Sequence, residues 1–528
     1  MSCKPLTRIL KCAIPLCQHH LLAKNGKRPS HLPLRTVSQQ MYFSTQTKKL
    51  SQSPFVNPRG ESVKKTKMLG LYLLLAGTVL ITPFGLNARI HRPTVQPMVL
   101  SSLEGVQWVK KCIERHPEIS WLADNNVRIT QEGQASKEAS YSVQIYGKDY
   151  PEFNRTILSL YCLRLALDGS DAAYAQFTAA QPIELRLPRG RFHELHLEGQ
   201  RLLKSGWGGL TELQMADVME AALVLGDIGK SQIAREIFKE VTDPDHDDFH
   251  NKAMQILEKH PELCPSFARL PAAGKKLLIQ IAKINTHYGH ITHIEGRRSM
   301  FTPLKESGIA ETDPLLIDLD LYVYTWDVAA ALGHVKFTTS LVYHKQCDQA
   351  MQAMKRAVHV LADPTKTEQD ALDSIVTEHA SWIGLDPKDK YDRVLARVAA
   401  MMRLFTPEEG AILRKAMLEM SPEMRDRIVQ QFDVSGENIT KNELTDTYIP
   451  AVLVNLLNNP ALGKTREERL SKAIFLGLPF LTIVLEKYKK PESRLDFNDI
   501  AGVAKTSPAS LSKEAFVDKE GRVHIAAD

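Results

Sequence analysis

The residue types in this chain best suited to chemistry gather between positions 190 and 345. Residues 215–231 read MADVMEAALVLGDIGKS, an apolar run closed by Gly226, Asp227, Ile228, Gly229 and Lys230. On its own, an apolar helix followed by Asp and Gly is a common helix C-terminus. Residues 245–250 read DHDDFH, and His246 and His250 stand at i, i+4. On a helix that spacing places two imidazoles on one face, where they suit a single metal ion. The carboxylates at 245–248 also fit the positive end of a solvated helix. A third candidate is Asp327 in TWDVAAALGH, a polar residue in an apolar helix followed by small residues that permit close packing; Asp318 and Asp320 are its rivals. His287, His290 and His293 in NTHYGHITHIEG add HxxH spacing beside Glu295. Three histidines across a Gly-containing turn are more often ordinary polar residues than ligands. The segment is instead expected to line a pocket shared with the candidates above, with Glu295 or Arg297 meeting a polar ligand.

Residues 190–345 resemble the HD superfamily of metal-dependent phosphohydrolases, in which an apolar helix ends in His-Asp followed by a Gly-Lys pair. Asp227, Gly229 and Lys230 match that pattern, and Gly226 stands where the family has His. The resemblance implies a divalent metal, Mn²⁺, Fe or Mg²⁺. Its ligands would be His193 or His196 in RFHELHLEG, together with Asp227, His246, His250 and Asp327. Such a metal lowers the pKa of a bound water for attack on phosphorus, and Lys230 would balance the phosphate charge. Asp227 and Lys230 are then the catalytic candidates, and the implied ligand is a phosphorylated small molecule or nucleotide. Gly226 removes one imidazole, for which His246 or a carboxylate from Asp245 or Asp247 is the available replacement. Two expectations follow: a metal-dependent phosphohydrolase, or a catalytically inactive HD-like scaffold that senses a ligand or binds a partner. A third is an exported interaction protein using its C-terminal helices as a binding surface. The body is also similar to an uncharacterised helical family that keeps an Asp-(Ile/Leu)-Gly-Lys core. The chain has no Walker A loop, no GxGxxG after a strand, no GxSxG and no HExxH.

The elements expected to hold these residues are mostly helices. From Gly190 to about Leu361 nearly every segment has helical spacing, and Thr211 with Gln214 forms a capping-box match before the 215–225 run. This is the HD-like bundle. A small N-terminal α+β module is expected at 98–188, with helices at 103–115 and 152–167 and short strands at 127–130, 141–146 (YSVQIY) and 183–187. A C-terminal helical region is expected at 365–490, with Pro387, Pro407, Pro422 and Pro450 near helix starts, then a loosely ordered tail at 491–528. The apolar run 473–485 (AIFLGLPFLTIVL) is short and interrupted by Pro, and is expected as a buried helix. The fold class is therefore mainly α.

Charge and composition narrow the function. The 528 residues carry a net +6, but residues 1–67 hold 13 Lys or Arg against one acid, Glu61. The remaining body is thus slightly acidic, at −6, which argues against a nucleic-acid partner. The basic arm resembles an organellar presequence, or reflects a start codon at Met41 or Met68. Residues 68–86 (MLGLYLLLAGTVLITPFGL) are uncharged and follow Lys64, Lys65 and Lys67. They predict one membrane span or a signal segment reaching to about residue 88, so that the body is membrane-anchored or exported. The cysteines at 3, 12, 17, 112, 162, 264 and 347 show no zinc-type spacing and read as free thiols.

Overall fold

Helix signals in the sequence are answered by helices in the structure. In this computed structural model the described residues are 103–124, 139–242, 249–284, 286–433, 444–490 and 493–526. Capping boxes open four helices: Glu212–Leu225 from Thr211, Glu368–Trp382 from Thr367, Pro407–Glu419 from Thr406 and Arg466–Tyr488 from Thr465. In each, the cap side chain accepts a hydrogen bond from a first-turn amide that the helix itself leaves without a partner. Pro407, Pro422 and Pro450 each lie in the first turn of a helix, where the missing N–H costs nothing. The chain is mainly helical, as its periodicity predicts.

The Pro151–Asp168 helix is enclosed on nearly every side, with buried residues from Glu152 through Leu163 in unbroken succession. A helix apolar all round belongs inside a core. It packs on the Arg189–Leu203, Glu212–Leu225 and Pro314–Ala329 helices. The contact between the second and fourth of these four is close because Gly199 has no side chain: a Cβ there would stand 2.2 Å from the Tyr322 hydroxyl. Trp326, Tyr322, Phe177 and Phe192 fill the space around them with tilted and edge-on ring contacts. One hydrophobic core extends from Val109 to Val523 and takes in the C-terminal helices. Arg466–Tyr488 carries the 473–485 run as a mostly buried helix containing Pro479.

Several local expectations are corrected. Residues 141–146 form the helix Tyr141–Tyr146. Ser140 accepts a hydrogen bond from the Val143 amide at one end, and Gly147 takes a left-handed conformation (φ 74°) at the other. Two end signals of this kind outweigh a two-residue alternation only six residues long. Residues 183–187 make a turn and an extended segment in which Ile183 is exposed, and 127–130 lie outside the described residues. Strand pairing among the described residues occurs at the other end of the chain, where Ala515–Val517 runs antiparallel to Val523–Ile525. The expected loose tail is instead docked. Its Asn498–Thr506 helix packs on Ile449–Asn458, and the Asn455 and Asn459 amides donate to the carbonyls of Ala501 and Ala504.

The membrane anchor is also corrected. Among the described residues no helix is long and apolar enough to cross a membrane. The Arg466–Tyr488 helix has the length, but it begins with Arg466, Glu467, Glu468 and Arg469. The basic arm and residues 68–88, on which the expectation of an anchored or exported body rested, lie outside the described residues. No membrane location is therefore supported.

Candidate functional site

Ionised groups this deep in a helical core must find partners or lose their charge. Glu152, in the first turn of Pro151–Asp168, and Arg155, one turn on, are 4% and 2% exposed. Arg155 Nη1 donates to both Glu152 carboxylate oxygens, at 2.7 and 2.8 Å. The next residue, Thr156, donates its hydroxyl to Asp227 Oδ2 at 3.1 Å.

Asp227 arrives there because the Glu212–Leu225 helix ends beside it. Gly226 keeps a right-handed conformation (φ −61°) and lies exposed at the helix end, while the Asp227 side chain turns inward. One tight turn, Ile228–Lys230, then brings Lys230 back over Asp227. Its Nζ donates to Asp227 Oδ1 at 2.5 Å and to Glu152 Oε2 at 2.7 Å. Asp327, near the end of Pro314–Ala329, completes the group, with Oδ1 3.8 Å from Arg155 Nη2. The segment after that helix closes over the cluster: a Cβ on Gly333 would stand 2.8 Å from Arg155 Cα. Three carboxylates thus face two cations, and the open side is at Lys230 and Asp327, whose side chains are 23% and 27% exposed.

The carboxyls of Glu152 and Asp327 respond in opposite directions. Burial pushes the Glu152 carboxyl up, but Arg155 and Lys230 outweigh it and hold the group at about 2. For Asp327, burial and then the neighbouring Asp227 charge dominate, and the carboxyl is pushed up to about 6. Lys230 loses to burial but gains more from Asp227 and Glu152, so its ammonium is held above the usual range. The chemistry available is that of an ion-paired cluster with one carboxyl that titrates near neutrality.

Asp227, Lys230 and Asp327 are therefore brought together from positions a hundred residues apart. Of the histidines assigned to the same site, His193 and His196 are not. His196 Nδ1 lies 3.0 Å from the Ala166 carbonyl, ten residues along the helix from Thr156 and hence about 15 Å away along its axis. His193 is exposed and stacks on His196. Neither contacts Asp227. His246 lies outside the described residues. His250 is on the Phe249–Ile256 helix, which packs against the Ile228–Lys230 turn; its side chain is outside the described residues. The rivals of Asp327 belong elsewhere: Asp318 pairs with Arg201 and His359, and Asp320 accepts from the Tyr288 hydroxyl at 2.7 Å.

The 287–297 segment does not line this cluster. His287 and His290 stack at 4.9 Å, and His290 Nε2 is 3.6 Å from Glu295. Glu295 and Arg297 border a separate small cavity with Arg397, Asp446 and Lys489. There Arg397 donates to the carbonyls of Ile294, Glu295 and Phe432, and Arg297 to that of Gln431. These contacts tie the central helices to the C-terminal ones.

Sequence reading passed over Glu152, Arg155 and Thr156. The available signal was the set of polar residues within the first turns of a helix otherwise apolar on all sides. His334 was also missed. It is 6% exposed beside the cluster, and its imidazole is pushed below the usual range by burial and by the Arg155 charge.

Among the described residues the donor set does not fit the metal implied by the HD resemblance; the side chains of His246 and His250 lie outside them. Two of the three carboxylates already converge on an ammonium, and the third faces a guanidinium. Among the described residues no group of three or more His, Cys, Asp or Glu side chains is arranged to hold an ion. No curated protein and no solved structure matches the chain. A family model described as a family of unknown function, DUF6829, matches residues 113–507, a span that includes every member of the cluster. The chain belongs to the DUF6829 family.

Proposed function

We propose that this protein is a catalytically silent relative of the HD-type phosphohydrolases, acting as a helical scaffold or ligand-sensing protein. The observation that carries the reading is the position of Lys230, whose ammonium lies between Asp227 and Glu152 where hydrolytic chemistry would need a Lewis acid. An ammonium donates hydrogen bonds but does not bind and acidify a water as a metal does. Gly226 supports the same reading, because it supplies no imidazole next to Asp227.

The test is elemental analysis of the purified full-length chain beside an Asp227→Ala variant. A phosphatase and nucleotidase screen follows, in the presence of Mn²⁺, Fe²⁺ and Mg²⁺. We expect no near-stoichiometric metal and no hydrolysis above the variant. Metal bound at about one per chain and lost in Asp227→Ala, with matching hydrolysis, would return the protein to the metal-dependent phosphohydrolases.

A further inference from the structure

We infer that this chain forms a twofold homodimer through the solvent face of its Arg466–Tyr488 helix, two copies of which pack antiparallel about Pro479. One side of the helix is buried, with Ile474, Leu478, Leu481 and Leu485 turned towards the chain's other C-terminal helices. The opposite side carries Lys472, Phe475, Leu476, Pro479, Ile483 and Glu486. Steps of three and four residues place all six on one stripe, the spacing by which helices pair. Phe475 and Ile483 are 38% and 47% exposed, so the stripe is an apolar strip rimmed by charge, of the kind that marks a protein contact.

Symmetry and charge point to a second copy as the occupant. Phe475 and Ile483 each stand four residues from Pro479, and Lys472 and Glu486 each stand seven. A twofold axis at Pro479 therefore sets Phe475 against the partner's Ile483 and Lys472 against the partner's Glu486, and repeats both contacts. A parallel pairing would instead oppose lysine to lysine and glutamate to glutamate, which like charges resist. Glu486 is steadied on its own chain by Arg427, whose Nη2 donates to it at 2.5 Å. A carboxylate has acceptor sites for a further donor. Shape agrees with the charges. A groove of about 510 Å³ runs beside Lys472, Phe475 and Leu476, walled by Leu462 of the Pro460–Leu462 turn and Pro508 of the Pro508–Ser512 turn. It holds no acidic residue, and it is placed to take the partner's Ile483. One helix face and its groove make a contact at the small end of specific interfaces, so association in the micromolar range is expected.

The experiment uses the full-length chain and reads disulfide-linked dimer on a non-reducing gel after mild oxidation. Pro479→Cys places a thiol on the axis, where it meets its own copy; Ile183→Cys, 76% exposed on another part of the chain, is the control, and the wild-type chain gives the background of its own cysteines. We expect Pro479→Cys to link at least about tenfold faster than either. On the Pro479→Cys background, K472E or E486K alone sets like charges together twice per dimer and should slow linking about tenfold, while the double substitution K472E/E486K should restore it. A reading independent of Pro479 comes from mixing Phe475→Cys chains with Ile483→Cys chains. The mixture should link, whereas each alone should not, since its two thiols lie eight residues, or about 12 Å, apart along the paired helices. Circular dichroism confirms that each variant is folded, as expected for exposed positions. Linking of Pro479→Cys no faster than the control, a double charge swap no better than the single ones, or a mixture no better than its components would each overturn the inference.

Discussion

Replacing Asp327 by Asn is expected to stabilise the protein at neutral pH, against the usual trend for a substitution at a buried cluster. In the native state its carboxyl is pushed from 3.8 to about 6 by burial and by Asp227, with Arg155 only partly offsetting them. A folded pKa above the unfolded one means that the ionised form costs stability. The cost is absent below 3.8, grows as pH rises through 6 and is complete above it. The shift corresponds to at most about 3 kcal/mol at pH 7.5. With 27% of the side chain in solvent, screening brings the expected gain to about 1–2 kcal/mol. Urea titration at pH 7.5 reads it as a higher midpoint at unchanged slope. Repeating the titration at pH 4.5 should shrink the gain to about a third, since the folded carboxyl is protonated there and the unfolded one mostly ionised. A loss of stability at pH 7.5, or a gain of the same size at both pH values, would refute the argument.

Arg155→Met leaves Glu152 buried with Lys230 as its remaining cation, and should destabilise by about 3–5 kcal/mol. Adding Glu152→Gln should recover part of that loss, and a double variant no better than the single one would count against the pairing. With its carboxyl held at about 2, below the ordinary 4.5, Glu152 contributes stability above pH 4.5 that is lost as pH falls towards 2. His379 is 2% exposed, its ring 4.4 Å from that of Trp382 and both nitrogens without a hydrogen-bond partner. Burial pushes its imidazole down to about 3, so the stability it leaves intact above pH 6.5 erodes as pH falls from 6.5 towards 3. His379→Phe should therefore gain about 2 kcal/mol on the wild type between pH 7.5 and pH 5, measured as the difference between unfolding midpoints at the two pH values. Parallel midpoint shifts in both proteins would show that this histidine is not the acid-labile group.

The mainly helical class, the Thr211 cap, the helix starts at Pro407, Pro422 and Pro450, and the buried helix over 473–485 all follow from residue order. Each is a local matter: a cap needs only its own first turn, and an amphipathic or wholly apolar period shows in a short window. Asp227 and Lys230 also read out locally, because three residues of tight turn suffice to bring one over the other. Asp327 stood out as a carboxylate in an apolar helix, a position that demands a partner. Which partner it finds was not a local property. Arg155 and Glu152 reach Asp327 and Lys230 only because four helices pack together, with Gly199 leaving room for the Tyr322 hydroxyl and Gly333 letting the segment after the Pro314–Ala329 helix come close to the Arg155 backbone. The same packing sends His196 to the far end of the Pro151–Asp168 helix, although its spacing from Asp227 along the chain suited a ligand. Residues 141–146 show the opposite limit, since their alternation gave way to the cap at Ser140 and the left-handed Gly147. Residue types and their periods thus determine the helices and flag the charges that need neutralising. Tertiary packing decides what neutralises them, because a buried charge takes whichever opposite group the crossing helices bring within reach, and here that group is an ammonium.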